Sequence, residues 1–225
     1  MSEQNGKTRR NFINAMAMGI TASSLSLLTN PLYANDERFM PLQLDNAAGW
    51  FNKIKGKHRI VYDGANPNKG LPIIWNWAYY ASNNQTGSTD NNITAMSVLR
   101  HGGIALALDS FLWEKYQLGN MFGVIDSATQ KPSIRNLYYE PQNGDFPLPE
   151  INGIKKLQER GALFCVCDLA IKKMTHDIAA KKGLDPALVY TDWISHILPD
   201  IQLVPSGVWA LGIAQEHGCG YIYAG

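Results

Sequence analysis

The chain is 225 residues long, enough for one compact domain with an appendage rather than two full domains. Hydrophobic residues make up 45% and charged ones 17%, against ~25% charged in an average globular chain, which excludes disorder, collagen and coiled coil. Twenty basic against nineteen acidic side chains leave a formal charge of +1. That balance carries no electrostatic footprint for nucleic acid or an anionic membrane, and three cysteines are too few for a disulfide scaffold.

Residues 1–14 are polar and carry Lys7, Arg9 and Arg10 against a single acid, Glu3. Residues 15–28 (AMAMGITASSLSLL) are mildly apolar and rich in small side chains, too short and weak to remain in a bilayer. Leu32-Tyr33-Ala34 ends on a small residue, which places cleavage after Ala34. Thr8-Arg9-Arg10-Asn11-Phe12-Ile13 resembles the twin-arginine export signal, with Asn14 where lysine is usual. The alternatives are a coincidental Arg-Arg before an ordinary secretory signal, or an uncleaved anchor. The twin-arginine resemblance implies export to the periplasm in folded form. Removing residues 1–34 leaves 17 basic and 18 acidic side chains, net −1, and all three cysteines in an oxidising compartment. No later run approaches ~18 strongly apolar residues, so no stable membrane span is expected after cleavage.

Residues 35–56 read as a polar lead-in with scattered apolar positions and a short helix packed on the body. The expected elements then alternate. A strand at 58–62 precedes a helix at 71–82 with Pro72 in its first turn, and a strand at 93–99 precedes a helix at 104–116 with Leu108, Phe111 and Leu112 on one stripe. Residues 120–152 break this rhythm with Pro132, Pro141, Pro147 and Pro149 around Leu137-Tyr138-Tyr139. So long an insertion points to a binding loop, a lid or a subunit contact. A short helix at 153–160, a strand at 162–166 and a helix at 168–182 closed by Lys181, Lys182 and Gly183 follow. A helix at 185–197 opened by Asp-Pro, a strand at 201–204, a helix at 206–217 and a strand at 220–224 complete the chain. Strands alternating with helices predict an α/β architecture with about five mostly parallel strands.

The run Ile201-Gln202-Leu203-Val204-Pro205-Ser206-Gly207-Val208, followed by Gln215, Gly218 and Tyr221-Ile222-Tyr223, resembles the C-terminal signature of the DsrE/DsrF-like family. His101-Gly102 after the second strand is similar to that family's strand-His-Gly junction. Residues 157–162 leading into Phe164-Cys165-Val166-Cys167 are similar to its helix-Gly-strand-Cys segment. The likeness spans residues 57–225 apart from the insertion. It implies a three-layer α/β/α fold assembled into trimers or hexamers. It also implies a cysteine that takes a sulfane sulfur as a persulfide from a small sulfur species or a donor protein and passes it on. Neither a cofactor nor a metal is implied.

On this resemblance Cys167 is the sulfur carrier. The residues agree: it stands where a strand ends and a helix begins, and the unpaired amides and positive dipole end of such a junction favour a thiolate. Asp168 beside it opposes that by like charge, so the net shift is left open. The alternative is an inert buried cysteine acting as a small hydrophobe. Cys165 lies on the same strand face at a Cα separation of ~6.6 Å, near the ~6.8 Å upper end of disulfide spacing. A bridge there would be strained and transient, and core packing is the alternative. A bridge from Cys165 to Cys219 requires their strands to be neighbours. His101, at another strand end before two glycines, is the candidate acid or base, or partner of the thiolate, with a purely structural role as the alternative. Ser206 reads as a helix N-cap, and the amides of Ser206 and Gly207 could hold a small anion. Two other classes compete. One is a copper or zinc module using Cys165, Cys167 and His101. The other is a non-catalytic oligomeric interaction protein that presents the insertion's prolines and tyrosines. Trp75, Trp77, Tyr79 and Tyr80 read as a packing face toward the sheet or a neighbouring subunit, with a ligand wall second.

Overall fold

The computed structural model describes residues 47–225. The expected export signal at 1–34 and most of the expected lead-in lie outside these residues. Among the described residues no helix is long and apolar enough to cross a membrane.

Five strands form one sheet: β1 (His58–Gly64), β2 (Ile93–Leu99), β3 (Leu163–Cys167), β4 (Ile201–Val204) and β5 (Gly220–Tyr223). Their spatial order is β4-β3-β2-β1-β5, and every pairing is parallel. The helices are α1 (Ala47–Trp50), α2 (Leu71–Gln85), α3 (Ser110–Tyr116), α4 (Leu118–Phe122), α5 (Ile154–Glu159), α6 (Asp168–Lys182), α7 (Pro186–Ser195) and α8 (Gly207–Glu216).

The order explains the layers. From β1 to β4 the chain steps one strand at a time in one direction, so right-handed crossovers put the intervening helices on one face. The connection from β4 back to β5 reverses direction and puts α8 on the other face. Side chains alternate to match. On the first face Asn76 of α2 donates to Ala95 C=O (3.3 Å) and Ser97 Oγ (3.1 Å), and Ser97 Oγ donates to Pro72 C=O (2.8 Å). On the second face Val61, Met96, Val98 and Cys165 pack with Ala210, Leu211 and Ala214 of α8 and with Trp50, Phe51 and Ile54 from the lead-in. The result is the three-layer α/β/α fold.

Local signals set the boundaries. Asp185 Oδ1 accepts from the Ala187 amide at 2.8 Å with Pro186 in the first turn, and Gly183 ends α6 at φ +64°. One expected helix is divided. Residues His101–Ala107 form a tight 3₁₀ segment, Leu108 is extended, and α3 starts afresh with Asp109 Oδ1 accepting from the Leu112 amide at 3.1 Å. Tertiary pairing overrides the helical stripe here. Ala107 C=O accepts from Leu198 N–H (2.8 Å), Asp109 N–H donates to His196 C=O (3.1 Å), and Leu108 bridges Ile197. Phe111, placed on the inner stripe by the spacing, is exposed and stacks on His196 instead.

The insertion is folded onto the body. Arg135 joins Asp145 through two hydrogen bonds (2.8 and 2.7 Å) and Asp126 through one (3.2 Å). Buried Asn136 donates to the Leu106 and Leu108 carbonyls and accepts from the Tyr138 and Tyr139 amides. Leu137, Tyr138 and Phe146 are buried, so Tyr138 packs inward, whereas Pro132, Pro147 and Pro149 are exposed and Tyr139 is half-buried.

Candidate functional site

In a parallel sheet the strand C-termini share one edge, and the loops there are the usual place for a ligand. Cys167 is the last residue of β3 and the N-cap of α6. Its Sγ accepts from the Ala170 amide at 3.3 Å. The Leu169 amide donates to Pro205 C=O at 3.3 Å and so ties the start of α6 to the loop before α8. Cys167 is only 6% exposed, and burial is the largest influence on its acidity. The thiol is pushed above its ordinary value, with the charge of Asp168 adding to the rise and the Gly207, Ala170 and Leu169 amides opposing it. The shift left open by the sequence is therefore upward.

Asp168 is buried and already engaged. Its Oδ1 accepts from Tyr190 Oη (2.6 Å) and its Oδ2 pairs with Lys172 (2.9 Å), so it ties α7 to the first turn of α6. Burial and this carboxylate together push the Tyr190 phenol well up. Cys165 lies wholly in the core, in register with Val98 of β2 and Gln202 of β4, and burial raises its thiol well above the ordinary value. All three cysteines are free buried thiols. The condition for a Cys165–Cys219 bridge is not met. Strands β2 and β1 stand between β3 and β5, roughly 14 Å at ~4.8 Å per strand, about twice the disulfide span.

His101 stands at φ +47° just past β2, and its ring Nδ1 lies 2.9 Å from Arg100 Nη1. A guanidinium only donates, so Nδ1 accepts and the ring proton sits on Nε2. Partial burial and then the Arg100 charge lower the imidazole pKa, against an opposing pull from Asp63. Among the described residues no hydrogen bond or charge interaction links His101 to the Cys167 sulfur. The structure thus does not bring His101 and Cys167 together as an acid–base pair. Ser206 is the expected N-cap, with Oγ accepting from the Trp209 amide at 3.2 Å. Gly207, expected to bind an anion, opens α8, and its amide favours the Cys167 thiolate. Nor are Cys165, Cys167 and His101 assembled as ligands, and among the described residues no group of three or more His, Cys, Asp and Glu comes together to hold a metal.

The residues that do organise this edge are Asp63, Arg100 and Tyr221. Asp63, 2% exposed, accepts from Arg100 Nε (2.6 Å), Arg100 Nη2 (2.9 Å) and Tyr221 Oη (2.8 Å). The Arg100 stem also lies against the start of α8: a Cβ added to Gly207 would fall 2.7 Å from Arg100 Cβ. Strand alternation puts Asp63, Arg100 and Cys167 on the α8 face of three adjacent strands. The sequence carried a faint signal in Asp63 and Arg100, each a charged residue at the end of an apolar strand. The partner of each could be named only once the register was known.

No protein-family model matches the chain, and no curated protein does. Among solved structures it is similar to a protein of unknown function, MTH1491, from Methanobacterium thermoautotrophicum. The identity is 15% and the TM-score 0.35, covering 74% of this chain and 98% of that one.

Proposed function

We propose that this is an exported, DsrE-like sulfur-handling protein that carries sulfane sulfur as a persulfide on Cys167. The observation that carries the reading is the place of Cys167 at the C-terminal edge of the sheet as the N-cap of α6, its Sγ accepting from one of that helix's first amides, Ala170, at 3.3 Å. Such amides stabilise negative charge on sulfur without a neighbouring base, so the reading does not depend on His101.

The step is a displacement. The Cys167 thiol gives its proton to solvent, and the thiolate attacks a terminal sulfane sulfur of a polysulfide. One sulfur–sulfur bond forms and another breaks, and a polysulfide shorter by one sulfur leaves with the electron pair. No external oxidant is needed. Delivery to an acceptor thiolate reverses the step. In this reading the twin arginines take the folded chain to the periplasm.

The test is intact mass after incubation with polysulfide. Wild type gains the mass of one sulfur atom, removable by a reducing thiol, and Cys167→Ser gains none while Cys165→Ser and Cys219→Ser still load. A wild type that stays unmodified with several donors, or a Cys167→Ser variant that loads equally, refutes the proposal. Export is checked separately: replacing Arg9 and Arg10 by lysine should hold the chain in the cytoplasmic fraction.

A further inference from the structure

The two edges of the sheet are treated differently. At β4 the residues Ile201, Leu203 and Val204 are buried, α1 packs alongside, and Pro205 follows. At β5 every residue is exposed: Tyr221 by 47%, Ile222 by 40% and Tyr223 by 54%. Proteins blunt a free edge with charge, proline, a bulge or a covering element, and Gly220-Tyr221-Ile222-Tyr223 carries no proline and no charge. Beside it Ile222 joins Tyr62, Trp75, Ala78, Tyr79 and Ser82 around an open cleft of about 370 Å³ without a charged side chain.

We propose that β5 is a docking edge for a second copy of this chain, paired antiparallel to the partner's β5 about a two-fold axis normal to the sheet. The backbone and the side chains select the same register. Ala224 N–H donates to Asp63 C=O (3.0 Å), and alternate residues of a parallel strand face the same neighbour, so Gly220 and Ile222 also turn their backbone groups to β1. Tyr221 and Tyr223 turn theirs outward. In an antiparallel pair the outward residues must oppose one another in hydrogen-bonded pairs. Tyr221 opposite the partner's Tyr223, and the reverse, meets that requirement with four backbone hydrogen bonds. The same register sets two tyrosine pairs on the α8 face and Ile222 against the partner's Ile222 on the α2 face, where Trp75 and Tyr79 border it. A strand of another sequence would have to match this order, whereas a second copy does so by symmetry. A charged partner finds no counterpart: Asp63 and Arg100, behind the tyrosines, are engaged with each other.

The area sets the strength. Two half-exposed tyrosines offer roughly 200 Å² per copy. With Ile222 and the cleft rim the contact stays below the ~800 Å² per partner of a standard interface, so the dimer is reversible on dilution.

Sedimentation of the chain as purified from cells, over a concentration series, should move from one chain mass to two. Ile222→Lys should remain at one chain mass throughout, with unchanged circular dichroism. Hydrogen exchange on the wild type needs no variant: the Tyr221 and Tyr223 amides should slow at least tenfold between the dilute and concentrated ends. The proposal is overturned by a wild type that stays monomeric at every concentration. It is equally overturned by an oligomer that survives Ile222→Lys, or by Tyr221 and Tyr223 amides that exchange alike at both ends.

Discussion

Replacing Arg100 by methionine tests the electrostatic frame of the sheet edge. Asp63 is almost fully buried and holds three side-chain hydrogen bonds, two of them charge-assisted from the Arg100 fork. Methionine keeps most of the stem that supports Gly207 but strands the carboxylate with Tyr221 alone. Removing one partner of a buried ion pair costs ~3–5 kcal/mol, and because the guanidinium retains some solvent contact the lower end, about 3 kcal/mol, is expected. Asp63→Asn combined with Arg100→Met removes the stranded charge, so the double variant should recover about 2 kcal/mol relative to the summed single losses. Urea unfolding followed by tryptophan fluorescence measures all four corners of this cycle. A single Arg100→Met loss under about 1 kcal/mol, or single losses that simply add, would mean that the pair is ornamental and that α8 is positioned by packing alone.

Gly207→Ala should lower stability by about 1–3 kcal/mol, because the new methyl must displace the base of the Arg100 side chain; thermal melting measures it. Alkylation of Cys167 by iodoacetamide should keep accelerating above pH ~9, because burial holds the thiol above its ordinary value; a plateau by neutral pH contradicts that direction. Buried Tyr80 and Tyr138 are each raised by burial from 10.0 to about 12. Their raised folded values contribute stability that is complete below pH ~10 and is lost as pH climbs toward 12, about 3 kcal/mol for each phenol. Urea unfolding at pH 9 and 11 should therefore show a smaller loss in Tyr80→Phe and Tyr138→Phe than in wild type.

Strand β2 at 93–99, strand β4 at 201–204 and helix α6 at 168–182 were legible to the residue, because each is an apolar run or periodic stretch closed by its own local stop. Residues 101–107 were not. Their geometry is imposed by contacts with Leu198 and His196, nearly a hundred positions away. The site divides in the same way. The junction at Cys167 and the cap at Ser206 are local features and could be read directly. The Asp63–Arg100–Tyr221 network joins residues 37 and 158 positions apart and exists only in one strand order and one register. The same strand order decides against a Cys165–Cys219 bridge. His101 shows the limit of a motif: its place after β2 is local, whereas its partner is set by the Arg100 side chain, which turns the ring toward a cation rather than the thiol.

A buried thiol at a helix start looks like a contradiction for a nucleophile, since burial and the nearby amides pull its acidity in opposite directions. The conflict eases if the sulfur that matters is the second one. A persulfide adds one sulfur–sulfur bond, ~2 Å of reach, and moves the reactive atom away from the most shielded position of the cap. A persulfide is also more acidic than a thiol, so the loaded form carries negative charge more readily than the empty one, and the first turn of α6, with the Ala170 amide on the cap, favours that charge. Burial then slows oxidation of the empty thiol, and the helix start holds the cargo. On this account the two influences belong to different states of one carrier, and neither needs a base at His101.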